Sequence, residues 1–191
     1  MKSNKNKEIA KYILKGILAA GAITIASTSP YFLPKIMPKI IRHAHYKLRR
    51  RQQRKNFYRS FYYLKKQGYI RTERKSKQIY ISLTKKGKDK AGKYQIDDLK
   101  IKKPKKWDKK WRILIFDIKA THKIKREALR GKIKQLSLYQ LQKSVWVHPY
   151  NFHNEMKILR KFFNLTYKEI RLVTALDIEN NAEIKAFFNL A

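Results

Sequence analysis

At 191 residues the chain has room for one domain of ordinary size or two small ones, and two is the expectation. Lysine and arginine number 48 against 13 aspartates and glutamates, a formal charge of +35 that concentrates polyanions around the protein and repels other copies of it. Cysteine is absent, which excludes disulfides, thiolate metal sites and cysteine nucleophiles and fits a reducing cytoplasm.

The charge is unevenly spread. Residues 1–110 hold 33 basic and 6 acidic side chains, residues 111–191 hold 15 and 7, and no carboxylate falls between Glu8 and Glu73. Cations in that interval depend on solvent, counterions or an external polyanion. A basic tail of ribosomal type would lack the aromatic and aliphatic residues that fill this stretch.

At the amino terminus, MKSNKNK followed by GILAAGAITIAS imitates the basic and apolar regions of a leader. Lys11 and Lys15 interrupt it, and the unbroken apolar run, 16–26, is too short to span a bilayer. The spacing of Ile9, Ile13, Ile17 and Ala20 predicts a buried first helix instead. Pro30, Pro34 and Pro38 then read as a connector, with a second helix starting near Pro38 and carrying Ile40, Ile41, Ala44 and Leu48.

A third helix is predicted from about Gln53 to Gln67, with Arg51 at its entrance. Steps of about 100° place Phe57, Phe61 and Leu64 on one face and Lys55, Arg59, Tyr62, Tyr63 and Lys66 on the other. The apolar stripe fits a core, and the opposite face is cationic and aromatic. Gly68 is expected just past the helix end in left-handed conformation. Beyond it, Ile70 and Thr72, then Ile79, Ile81 and Leu83, alternate with polar residues as two strands of a hairpin whose tip holds Lys75 and Lys77. Helices followed by a hairpin with a basic tip form the order of a winged helix-turn-helix, whose third helix enters the major groove. TKKGKDKAGKY reads as a further short basic helix.

Pro104 and a run of lysines mark a boundary near residue 108. WRILIFDI is an apolar strand, Leu129, Ile133 and Leu136 stripe a helix, and LYQLQKSVWVHPY gives two short strands. Met156, Leu159 and Phe163 mark a helix, EIRLVTAL a strand and NNAEIKAFFNL a closing helix. That β-α-β-β-α-β order is the ferredoxin-like plan. The fold class expected is therefore α+β: a winged helix at 1–95, a basic linker at 96–107 and a ferredoxin-like domain at 108–191.

FYRSFYYLKKQGYI with ISLTKKGK, KKPKKWDKKWRILIFDI and YQLQKSVWVHPY together resemble the winged-helix repressors of phenylacetic-acid catabolism, the PaaX-like family. The central domain of that family is related to the small CRISPR-associated nuclease that partners the spacer integrase. The resemblance spans roughly residues 38–190 and implies a regulator that binds double-stranded DNA as a homodimer paired through its second domain. Repressors of the family carry a further carboxy-terminal region that this sequence does not show. On the nuclease side, the resemblance maps the metal-site aspartate onto Asp117.

Read without the family, Asp117 at the end of an apolar strand offers Mg²⁺ one carboxylate, with a second copy from a symmetry mate, or it caps a helix or pairs with a basic neighbour. Asp177, Glu179 and Glu183 suit the start of a surface helix. The pairs His43 and His45, and His148 and His153, have no metal-ligand spacing, and no glycine-rich phosphate loop is present. No resident cofactor is expected unless Mg²⁺ sits at Asp117, and no membrane partner is expected. In Lys55, Arg59 and Lys66, interleaved with Tyr62 and Tyr63, the sequence offers phosphate neutralisation and base-edge contact, with Lys75 and Lys77 reaching the flanking backbone. Transcriptional regulation, by repression at a promoter, is the expected function. The rival is a Mg²⁺-dependent nuclease acting through Asp117 or an architectural partner of an integrase.

Overall fold

The structure, a computed structural model, describes the backbone of residues 2–26, 32–44 and 51–190 and the side chains of 6–24, 35–41 and 54–190. Leu48 and His45, and the side chains of His43, Ala44 and Arg51, lie outside the described residues. The chain divides into two compact units, Met1–Asp97 and Asp98–Ala191.

In the first unit the elements run α1 (Lys2–Ala20), β1 (Ala22–Ala26), α2 (Phe32–Ala44), α3 (Arg51–Lys66), β2 (Ile70–Lys75), β3 (Gln78–Leu83) and α4 (Lys85–Asp97). The three strands form an antiparallel sheet in the order β1-β3-β2. Ile9, Ile13 and Ile17 of α1 pack in one core with Ile36 and Ile40 of α2, Phe57, Phe61 and Leu64 of α3, and Ile81 of the sheet.

One element is unexpected and one expectation is corrected. The first helix ends at Ala20, as its spacing predicts, but Gly21 then takes φ +74° and AITIA becomes a strand absent from the expected elements. Only glycine turns the chain there without strain, and β-branched Ile23 and Thr24 then pair with Ile81 and Tyr80 of β3. The second helix begins at Phe32 and carries Pro38 inside it. Pro38 and Lys39 face outward while Ile36, Met37 and Ile40 are buried, so the core contacts of this helix offset the backbone hydrogen bond the ring removes. Gly16 lets α2 close on α1, since a Cβ there would meet the carbonyl and Cγ2 of Ile40.

The hairpin forms as read, with Lys75 opposite Gln78 and Ser76 at φ +50° in the two-residue turn. Gly68, at φ +72°, ends α3. Thr84 then ties three pieces together: its Oγ1 donates to the Gly68 carbonyl at 2.6 Å and accepts from the Gly87 N–H at 3.1 Å, capping α4. Thr84→Ala is expected to cost about 1 kcal/mol, read as a lower midpoint for the first unit in urea, with Ser at the same position restoring most of it.

The second unit runs β4 (Trp111–Phe116), a 3₁₀ turn (Ala120–His122), α5 (Lys123–Gln135), β5 (Tyr139–Gln142), β6 (Val145–His148), α6 (His153–Phe163), β7 (Ile170–Ala175) and α7 (Ala182–Phe187). Its sheet is antiparallel throughout in the order β5-β6-β4-β7, which is ferredoxin-like. Alternate residues of β4 serve opposite faces. Leu114 and Phe116 are buried, as are Leu129 and Ile133 of α5 and Met156 and Leu159 of α6. Trp111 instead clusters with Val147 and Ile184 of α7, with Trp107 and Phe188 packed around them.

Candidate nucleic-acid interface

The core stripe of α3 fixes which side of the helix faces out. Phe57, Phe61 and Leu64 are 2%, 0% and 3% exposed, so the helix cannot roll without opening the core. Tyr62 and Tyr63 are left 53% and 59% exposed, and Lys55, Arg59 and Lys66 are exposed beside them, as are Arg54 and Lys65. The C-terminal end of α3 is held by Lys86, whose Nζ donates to the Gln67 carbonyl at 3.1 Å and lies 4.6 Å over the Tyr69 ring.

At the hairpin tip Lys75 and Lys77 are both exposed. Lys75 shares part of its charge with Glu73 at 3.7 Å and rests 5.9 Å over the Tyr80 ring, and Glu73 also pairs with Arg71 at 2.8 Å. Such exposed pairs are weak and are readily exchanged for phosphate. Arg74, exposed on the same strand, adds a cation that the sequence reading did not single out.

Asp117 is exposed just past β4, its N–H donating to the Glu169 carbonyl at 2.8 Å. Glu169 is its neighbour by sheet position, and that carboxylate is committed: it accepts from the N–H and Oγ1 of Thr166 at 2.8 and 2.9 Å and pairs with Lys125 at 3.4 Å. These contacts, led by the Thr166 backbone, hold the Glu169 carboxyl below the usual range. Among the described residues, no three acids or histidines gather as cation ligands. The residues of one chain therefore do not fit a divalent-cation site around Asp117.

The remaining polar feature of this unit lies in its sheet. Arg112 and His148, opposite each other on β4 and β6, are both buried. A family model described as the PaaX protein central Cas2-like domain matches residues 104–185, which contain this whole sheet. Over those residues the second unit is similar to the PaaX central Cas2-like domain. No curated protein matches the chain.

In this unit Arg112 donates to Asp108 Oδ1 at 2.6 Å and to the carbonyls of Lys110 and Pro149 at 2.7 and 2.9 Å. A second bond, from its Nη2, reaches Asp108 Oδ2. Arg112 thereby fastens the residues entering β4 to the end of β6, and it holds the Asp108 carboxyl down at about 2. His148 sits among the rings of Tyr150, Phe152 and Phe188 at 5.2–5.8 Å, and its Nδ1 accepts the Tyr150 N–H at 3.1 Å. Burial pushes this imidazole down to about 4 against the pull of the Tyr150 carbonyl, and the Arg112 charge lowers it further. Neither residue was legible as a pair, because strand pairing joins positions 36 apart. The signal available was an arginine inside an apolar strand with an aspartate four residues before it.

Proposed function

We propose that the protein is a DNA-binding regulator of PaaX type, its first unit a winged helix-turn-helix with α3 as recognition helix and the β2–β3 hairpin as wing. The carrying observation is the division of α3: its apolar stripe is locked into the core, and its outward side presents Lys55, Arg59, Tyr62, Tyr63 and Lys66 without an acid. Arginine and lysine on such a face neutralise phosphates and reach guanine edges, and tyrosines pack on sugar and donate hydrogen bonds. Lys75 and Lys77 serve the flanking backbone from the wing, and Arg51 extends the same helix toward its entrance.

Pairing through the PaaX-type domain would present two such helices to a two-fold related site. Exposed Ile115 and Val173, on strands β4 and β7, support an apolar pairing face. The test is footprinting on duplex pools at about 150 mM salt, where non-specific affinity is weak. A protected, recurrent, two-fold site supports the reading, and binding without preference at that salt contradicts it.

The nuclease reading keeps one observation, the exposure of Asp117 at a strand end. It predicts Mg²⁺-dependent cleavage of duplex that disappears in Asp117→Ala. The regulator reading predicts that the same incubation leaves the duplex intact.

A further inference from the structure

A groove of about 670 Å³ in the first unit lies between α1, α3 and α4. Its walls carry Lys7 from α1, Arg59 from α3 and Lys90 from α4, together with Tyr63, Tyr69 and Tyr94, and none of its lining residues is acidic. Two of these, Arg59 and Tyr63, also belong to the outward side of α3. The groove is therefore continuous with the face assigned to DNA, and a ligand in it would touch both.

The lysines around the groove are set in place by its aromatic lining. Lys90 Nζ lies 5.1 Å over the Tyr94 ring, where Lys11 also rests at 5.7 Å, and Lys86 lies 4.6 Å over Tyr69. An ammonium resting on a ring face loses less freedom when it pairs with an anion than one on an unsupported stem. Lysines of α1 and α4 are thus braced on tyrosine rings beside a trough that Lys7 and Arg59 also line, and the trough is much larger than a single phosphate ion requires. Repeated negative charge along a ridge, flanked by sugars that pack on tyrosine edges, is the matching chemistry.

We propose that this groove seats a phosphodiester strand of the bound duplex, beside the bases that α3 reads, with Lys7 and Lys90 each neutralising a phosphate. The inference rests on the DNA-binding reading above. It adds α1 and α4 to an interface that the helix-and-wing description confines to α3 and the hairpin. Lys7 and Lys90 position the protein without reading sequence, because phosphate is the same at every step.

The test compares the full-length protein with Lys7→Ala/Lys90→Ala, Lys7→Arg/Lys90→Arg and Lys66→Ala, on a footprinted duplex and on a random one, across a salt series. Lys66 lies outside the groove lining. The alanine pair is expected to weaken both duplexes alike, by roughly tenfold or more at 100 mM salt, and to lower the log affinity against log salt slope by about 0.9 per lost contact. The arginine pair, which keeps the charges, restores both. Unchanged thermal midpoints show that the variants fold.

If Lys66→Ala weakens binding while the alanine pair leaves affinity and slope unchanged, the groove assignment is wrong and the α3 reading stands. Titration with AMP and with inorganic pyrophosphate separates a small phosphorylated ligand from a strand. Tight binding of either, lost in the alanine pair with duplex affinity unaffected, overturns the proposal. Absence of duplex binding by the unaltered protein overturns both readings.

Discussion

Gly87→Ala is expected to destabilise the first unit by about 3 kcal/mol, among the larger effects of adding one methyl group to a packed site. Gly87 opens α4 and is buried against the chain leaving α3. A Cβ there would collide with the Tyr69 carbonyl oxygen, lie 2.9 Å from its carbon and 3.3 Å from Leu83 Cβ. The carbonyl cannot retreat cheaply, because it accepts the Thr84 N–H at 3.1 Å within the Thr84 cap. Gly131→Ala is the matched control: nothing lies within 4 Å of its added Cβ, and it is exposed inside α5. There the same change is expected to stabilise by roughly 0.5–1 kcal/mol, since alanine gives up less backbone freedom than glycine. Denaturation followed for each unit checks both signs, and an unchanged first unit in Gly87→Ala would show that α4 does not sit as described.

The second large effect is a pH dependence in the second unit. Unfolded, His148 titrates near the ordinary 6.5, whereas in the fold it is held at about 4 by burial, with Arg112 opposing its charge. Between those values the unfolded chain binds a proton that the folded one refuses, so stability rises with pH across that window. His148 favours the fold fully above pH 6.5, and the contribution falls progressively until pH 4, by about 3 kcal/mol in all. Asp108 acts lower. Its carboxyl is held at about 2 by Arg112, so its smaller, partly solvated contribution is lost as pH falls from about 4 toward 2. The measurement is simple because Trp107, Trp111 and Trp146 all lie in the second unit. Tryptophan fluorescence in urea therefore reports that unit alone. His148→Gln should remove the slope between about pH 5 and 6.5, above the range in which Glu169 and Asp108 titrate, and a slope that persists there in this variant would contradict the assignment.

Local pattern carried most of the architecture. In α3 the apolar spacing, the closing glycine and the hairpin alternation each rest on residues a few positions apart, so the buried stripe, the exposed cations and the hairpin tip could be read directly. The second unit was equally plain, as its strands and helices alternate with clear changes of period. β1 was hidden because its five residues continue the apolar run of α1 and only Gly21 separates them. The start of α2 was misplaced because proline reads as a breaker, yet core burial of Ile36, Met37 and Ile40 carries the helix through Pro38.

The unread parts of the candidate site are those built by distant contacts. Lys7, Arg59 and Lys90 meet in one groove only after α1, α3 and α4 pack together, and no spacing in the sequence announces it. His148 fell within the run read as two short strands, but nothing local showed that it is buried opposite Arg112. Asp117 occupies the strand end expected of it, and the missing information was that Glu169 is already engaged by Thr166 and Lys125.

The central claim is that the outward side of α3 grips a duplex, and charge reversal at two of its exposed positions tests it most directly. Equilibrium binding of Arg59→Glu/Lys66→Glu to the footprinted duplex at 150 mM salt, with an unchanged first-unit melting midpoint, should fall by roughly a hundredfold or more and lose sequence preference. Affinity and footprint equal to those of the unaltered protein would contradict the account.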